Sequence, residues 1–269
     1  MRTEPSNIPA SPDALAITRV RHPLKARHAQ VLRRTEVSPG FVRLTLGGTD
    51  MADFVSAGFD DHIKLILPHP GQERASLPTV QDGRPVMSDP RPVLRDYTPA
   101  HYDAARGELD IEVALHDAGP ASDWAAAAAV GHWVGVAGPR GSMVVPTAFQ
   151  WHWLLGDETA LPAIVRRLAE LPAEAAVTVR IQVRNPADQR PLATAAKIDL
   201  QWVASLPDAA EVLAIPPGDG YIWGAGEHSD MAALRKVVLA KPGVNPKRMR
   251  IAAYWKKGVA DHHEDLATS

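Results

Sequence analysis

Arginine, tyrosine and threonine stand close together at Arg95-Asp96-Tyr97-Thr98, and each could hold one part of a flavin nucleotide. The guanidinium of Arg95 offers a planar fork for a phosphate. Tyr97 offers an aromatic face beside an isoalloxazine ring, and Thr98 a hydroxyl for that ring's heteroatoms. Taken alone, the run reads more readily as an amphipathic strand than as a flavin site. Its setting adds to it: Gly119-Pro120-Ala121-Ser122 follows, then Gly138-Pro139-Arg140-Gly141-Ser142, then two strand-like segments that end in small or acidic residues. This order predicts a flavin site followed by a nicotinamide site.

Gly119, Ala121 and Ser122 suit a pyrophosphate, because small residues let it approach backbone amides at a helix start, where the helix dipole favours negative charge. The same residues also describe a plain helix N-terminus. His116 could meet the adenine or ribose, or be a structural residue at a strand end. Residues 138–142 read as a tight loop closing the first set of strands. Gly156-Asp157-Glu158-Thr159-Ala160 and Gly224-Ala225-Gly226-Glu227 both fall where a strand gives way to a helix. Neither matches the G-x-G-x-x-G fingerprint, so a Rossmann dehydrogenase is not supported. Asp157, Glu158, Thr159, Ala225, Gly226 and Glu227 remain candidates for the nicotinamide nucleotide. Arg184 and Arg190 flank the turn after the next strand, where an adenosine 2′-phosphate would lie in this topology, and they favour NADPH over NADH. A basic group completes the set: Lys64, Lys256 and Lys257, with Arg248 nearby in sequence. Exposed lysines steer and orient an anionic ligand more than they bind it tightly.

These residues need elements to hold them. Strand patterns recur at Ala29–Arg33, Phe41–Leu46, His62–Leu67, Val93–Thr98, Glu108–Leu115 and His132–Val136, with Gly and Pro between them. Short strands with a single helix, Ala121–Val130, predict a closed antiparallel barrel. After Pro146 the texture alternates. Strands are expected at Trp151–Leu155, Val177–Val183, Leu200–Ala204, Tyr221–Trp223 and Arg250–Trp255. Helices are expected on the stripe Leu161, Ile164, Val165, Leu168, Leu171 and from Asp230 to Leu239, the latter capped by Ser229. Alternation of this kind implies a parallel sheet with ligands at the carboxyl ends of its strands. The expected division is a loosely held arm over residues 1–22, a flavin-binding barrel over 23–147 and a nicotinamide-binding α/β domain over 148–269.

The chain has 269 residues, enough for two domains, with 45% apolar and 22% charged residues. A net charge of −2 gives no global basic field, which argues against nucleic acid as a partner. The absence of cysteine excludes disulfides and thiolate-ligated iron–sulfur clusters within the chain, so electrons handled here need an organic cofactor. No apolar run approaches a membrane span, and Met1–Leu15 lacks a signal-peptide pattern, which points to the cytoplasm. His262-His263 reads as a solvated tail and not as a metal pair.

The flavin run, the His116–Trp124 segment, Gly156-Asp157-Glu158-Thr159-Ala160-Leu161-Pro162, Trp223-Gly224-Ala225-Gly226-Glu227 and Tyr254-Trp255-Lys256-Lys257-Gly258 together resemble the siderophore-interacting protein family. These are ferric-siderophore reductases within the ferredoxin–NADP reductase superfamily, and the resemblance covers about Ala26 to Ala260. It implies an FAD-binding barrel and an NAD(P)H-binding α/β domain with a basic cleft between them. By position it implies FAD contacts from Arg95, Tyr97, Thr98, His116, Gly119, Ala121 and Ser122. Asp157, Glu158, Thr159, Arg184, Ala225, Gly226 and Glu227 fall on the NAD(P)H side. Lys64, Lys256 and Lys257 fall on the ferric siderophore, a catecholate or hydroxamate chelate. The lysine at 256 departs from a position that is often arginine in the family. NADPH is the expected donor, with NADH or ferredoxin as alternatives, in a monomer. No general base and no resident metal are expected. A general flavin reductase, or a siderophore-binding protein without catalysis, are the competing functions.

Overall fold

A computed structural model describes residues 12–81, 84–115, 119–259 and 264–265. The described chain begins with a single 3-10 turn, Pro12–Leu15. Leu15 is buried in the core of the C-terminal half. Strand β1 (Thr18–Arg21) then pairs antiparallel with residues 141–144. The loosely held arm expected over residues 1–22 is therefore corrected from Leu15 onward. Proline-rich composition hid a short strand whose partner lies more than a hundred residues away in sequence.

A long hairpin follows, β2 (Ala26–Ser38) and β3 (Phe41–Gly47), turning at Pro39-Gly40. After it come β4 (Ile63–Ile66), the small ribbon β5 (Thr79–Gln81) and β6 (Arg84–Val86), then β7 (Leu94–Tyr97), β8 (His101–Asp103) and β9 (Glu108–Ala114). Helix α1 (Pro120–Ala127) precedes β10 (Trp133–Ala137) and β11 (Gly141–Val144). Seven of these strands form one antiparallel sheet in the order β7-β4-β10-β2-β3-β9-β8. Its two end strands are separated in sequence only by Thr98–Ala100, and Ala100 donates to the Asp110 carbonyl at 2.9 Å. With Cα atoms ~3.8 Å apart, so short a link requires the sheet to curl until its edges approach each other. Inside the curl lie Val31, Leu44, Ile63, Leu65, Ile111 and Val134, with Ala121 and Ala125 of α1 packed on them.

The second half runs β12 (Trp151–Asp157), α2 (Leu161–Glu170), β13 (Ala176–Gln182), β14 (Lys197–Trp202), α3 (Leu206–Glu211), β15 (Gly220–Glu227), α4 (His228–Leu239), β16 (Met249–Trp255) and β17 (Glu264–Asp265). The sheet order is β14-β13-β12-β15-β16-β17, parallel except for β17. Every residue of β12 is buried, as a central parallel strand covered on both faces requires. In α2 the expected stripe is the buried face, with Leu161, Ile164 and Leu168 inside. Helix α3 has no counterpart among the expectations, since six residues are too few to show a period. Helix α4 begins at His228 and is capped by the Glu227 carboxylate, which accepts from the Ser229 and Asp230 amides. Ser229, the expected cap, lies inside the helix. No helix among the described residues is long and apolar enough to cross a membrane.

Candidate functional site

Strand order reverses between β12 and β15, which makes the carboxyl ends of those strands the natural ligand crevice of the parallel sheet. Asp157, at the end of β12, organises that edge. Its Oδ1 accepts from the Thr159 amide at 2.8 Å and the Thr159 hydroxyl at 2.6 Å. Its Oδ2 accepts from the Glu227 amide at 2.9 Å and the Trp255 indole at 2.7 Å. Burial pushes the Asp157 carboxyl upward, against the Thr159 and Trp255 donors. A Cβ at Gly226 would come within 2.7 Å of the same carboxylate, so the glycine is required for the approach of β15 to β12. Ala225 is buried in the core.

Glu158 is buried and accepts from the Arg184 backbone at 2.9 Å and from its guanidinium, which also lies over the Trp255 ring at 5.8 Å. Partial burial pushes Glu227 up, but donors from Ser229, the Lys257 amide and Asp230 hold its carboxyl below its ordinary value. Asp157, Glu158, Thr159, Arg184, Ala225, Gly226 and Glu227 thus converge on one edge. The acids among them are engaged in holding it together. Gln182 ends β13 beside Asp157, and its buried Oε1 has no partner among the described residues. One glutamine at a strand end carries no pattern, so this acceptor has no sequence signature.

Arg190 is elsewhere. Its guanidinium bonds the buried carboxylate of Glu112 on β9, which Arg43 also holds at 2.6 Å. Neighbouring Asp188 accepts from the Ser38 hydroxyl and the Gly40 amide, each at 2.7 Å. The loop after β13 is therefore clasped to the N-terminal sheet, and the 2′-phosphate role read for Arg190 is corrected to an ion pair between the two halves. Arg248 pairs with Asp219 at the amino end of β16 and is not part of a basic group with Lys256.

On the flavin side, Arg95 and Tyr97 stand opposite Leu65 and Ile63 on β4, so they share one face of the sheet. Among the described residues the Arg95 side chain bonds only the Leu94 carbonyl, at 2.8 Å. Burial pushes the Tyr97 phenol up to about 12, against the Arg95 charge. In α1 the first-turn amides of Ala121 and Ser122 precede the first helical bond, from Asp123 to the Gly119 carbonyl at 2.8 Å; Pro120 has no N–H, and among the described residues no side chain caps the end. Among the described residues a Cβ at Gly119 would meet nothing within 4 Å. Among the described residues, a guanidinium without a carboxylate and a helix start with no side-chain cap fit a dinucleotide pyrophosphate. His116 lies outside the described residues.

Lys64 faces away from Arg95 and Tyr97, opposite Asp96, with which it pairs at 2.8 Å. It is also opposite Ala137, from which the chain runs on to exposed Arg140. Lys256 and Lys257 are exposed at the end of β16. The described residues contain no group of three metal-ligating side chains.

The two edges meet through adjacent residues of β16. Tyr254 lies against the Thr98 side chain, while Trp255 donates to Asp157. A wedge of the first half, Ser56–Asp61, supports this meeting. Phe59 sits in the core of the α/β half, 5.4 Å from Trp223. Asp60 accepts from the Trp223 indole at 3.0 Å and pairs with Arg250 at 3.2 Å.

A curled antiparallel sheet with a phosphate-sized helix start, joined to a parallel sheet with a reversed-order crevice, defines a two-domain flavin and nicotinamide reductase fold. Residues 30–143 match the model of the siderophore-interacting FAD-binding domain, and residues 149–258 that of the siderophore-interacting protein. The chain belongs to the siderophore-interacting protein family. It is 38% identical over 244 residues to the NADPH-dependent ferric-chelate reductase of Escherichia coli, covering 88% of this chain and 95% of that one. It is 28% identical to the ferric vibriobactin reductase of Vibrio cholerae, over 87% of this chain and 91% of the other. The crystal structure of a siderophore utilization protein from T. fusca superposes with a TM-score of 0.84 at 34% identity, covering 92% and 98% of the two chains.

Proposed function

We propose that the protein is an NADPH-dependent ferric-siderophore reductase with FAD as its bound cofactor. The observation that carries this reading is the pair Tyr254-Trp255, which touches the flavin run through Thr98 and the nicotinamide edge through Asp157. When bound, a flavin accepts a hydride and passes on single electrons, which couples a two-electron donor to a one-electron acceptor. Each NADPH thereby reduces two ferric ions and releases one proton.

The chain's residues bind and orient. Arg95 and the Ala121 and Ser122 amides hold the FAD pyrophosphate, Tyr97 covers the ring, and Thr98 supplies a hydroxyl to it. His116 is assigned to the adenosine end. Asp157 fixes the three strand ends, Thr159 and Gly226 receive the nicotinamide, and Arg184, held in place by Glu158, faces the 2′-phosphate. Lys256 and Lys257, with Lys64 on β4 and the exposed Arg140 in the loop after β10, steer the anionic chelate. No side chain acts as acid or base at the iron. Ferrous iron is a softer ion than ferric and is held weakly by hard oxygen donors, so reduction releases it. We assign a catecholate or hydroxamate chelate as substrate, NADPH as donor in preference to ferredoxin, and a monomer working in the cytoplasm.

An anaerobic absorbance titration tests the reading. Bleaching of the flavin band by NADPH and its return on adding a ferric catecholate or hydroxamate is the expected result. A protein without a flavin band even after FAD is supplied would overturn it. A band that returns with a small quinone and not with the ferric chelate would make the protein a general flavin reductase.

A further inference from the structure

We propose that Arg166 is a positioning residue for hydride transfer, holding the end of the flavin run against the first helix of the nicotinamide half; this rests on the function proposed above. Arg166 lies on α2, which starts two residues after Thr159. One of its terminal nitrogens donates to the Pro99 carbonyl at 2.9 Å and to the Ser56 hydroxyl at 2.8 Å, and the other to the Ser56 carbonyl at 2.9 Å. Glu170, one turn along α2, orients the guanidinium from 3.4 Å.

Both acceptors belong to the flavin half, at two chemically meaningful points. Pro99 is the residue after Thr98. Ser56 opens the wedge, and its hydroxyl donates onward to the buried Asp61 at 2.8 Å. Beyond the wedge the chain enters β4, the strand paired with Arg95 and Tyr97. One planar group therefore ties both the end of the flavin run and the segment leading to its neighbouring strand to the helix beside the nicotinamide edge.

Hydride transfer needs reacting atoms roughly 3–3.5 Å apart, and an error of ~1 Å can cost about a hundredfold in rate. Of the other ties between the halves, Tyr254 on β16 also reaches the flavin run, at Thr98, whereas Asp188 with Ser38 and Gly40 and Asp60 with Trp223 hold the halves at other points. They keep the halves together when Arg166 is lost, so the lesion is in alignment. Arg166 touches neither nucleotide nor chelate in this assignment and acts through Pro99 and Ser56.

The test separates the two half-reactions in rapid mixing of the FAD-loaded protein, with Arg166→Met, Arg166→Lys and, as an interface control, Asp188→Ala. In Arg166→Met, flavin reduction at saturating NADPH is expected to slow at least about tenfold. Reoxidation of the pre-reduced protein by the ferric chelate should stay within about twofold of the parent. The visible difference spectrum induced by NADP+ in the oxidised protein, which reports docking beside the flavin without turnover, is expected to shift. Arg166→Lys should fall between parent and Arg166→Met, and it carries the test if the methionine variant does not fold. Asp188→Ala should lower the melting temperature without the kinetic split. Unchanged flavin reduction with Arg166 replaced, equal slowing of both half-reactions, or the same split in Asp188→Ala would overturn the proposal. A parent protein that takes hydride from NADPH yet fails to reduce the chelate would count against the function alone.

Discussion

At the residue level the site depends on a few fully engaged side chains and a few open ones. Asp157 commits both oxygens to the ends of β12, β15 and β16, whereas Arg95 bonds only a backbone carbonyl among the described residues. Arg95 is therefore the group with binding capacity left. Arg95→Ala should weaken FAD binding about tenfold or more, the value of one charge-assisted hydrogen bond of roughly 1.5 kcal/mol, read from the fluorescence of FAD released on dilution. Unchanged retention would remove its phosphate role. His152 tests burial in a different way. Burial, and then the Arg167 charge, push its pKa down to about 3 from 6.5. Between those values the unfolded chain binds a proton that the folded one refuses. Stability therefore falls as pH drops from 6.5 towards 3, by up to ~1.4 kcal/mol per pH unit from this group. Urea titrations across that range should show a shallower fall for His152→Leu than for the parent, and parallel curves would refute the assignment.

At the level of elements, the segment before β2 has a structural part its composition conceals. Leu15 is 7% exposed in the core of the α/β half, while β1 pairs with β11 of the other half. The segment is a strap across the junction. Leu15→Ala should cost roughly 2–4 kcal/mol through lost burial and the cavity left behind, seen as a lower melting temperature of the FAD-free protein. A loss below half a unit of that scale would mean that the strap adds nothing to the junction. The Ser56–Asp61 wedge works in the opposite direction, inserting Phe59 of the first half into the core of the second. Strap and wedge explain how two sheets with separate cores keep one geometry.

Over the whole molecule, a net charge of −2 means that attraction for an anionic chelate has to be local. Lys256 and Lys257 are exposed at the carboxyl edge of the parallel sheet, where their charge meets water and salt. Lys256→Ala should raise the apparent KM for an anionic ferric chelate roughly two- to fivefold at low ionic strength. The difference should vanish in high salt, and reduction of a neutral acceptor should be unaffected. An equal change for both acceptors would mean that the lysine does not steer.

Antiparallel strands followed by alternating strands and helices, the α2 stripe and the placing of residues 156–160 and 224–227 where strands give way to helices were legible in the sequence, because period, turn chemistry and short motifs are local properties. The covering of β12 on both faces follows from its apolar run in the same way. What the sequence left open depended on contacts between distant segments. The pairing of β1 with β11, the use of Glu227 as a helix cap, the partnership of Arg190 with Glu112 and the landing of Arg166 on Pro99 have no local signature, since an arginine reads alike whether it faces a phosphate, a carboxylate or a carbonyl. Only tertiary structure decided those partners, because burial removes water as the alternative and obliges each charged or polar group to find its neighbour across the fold.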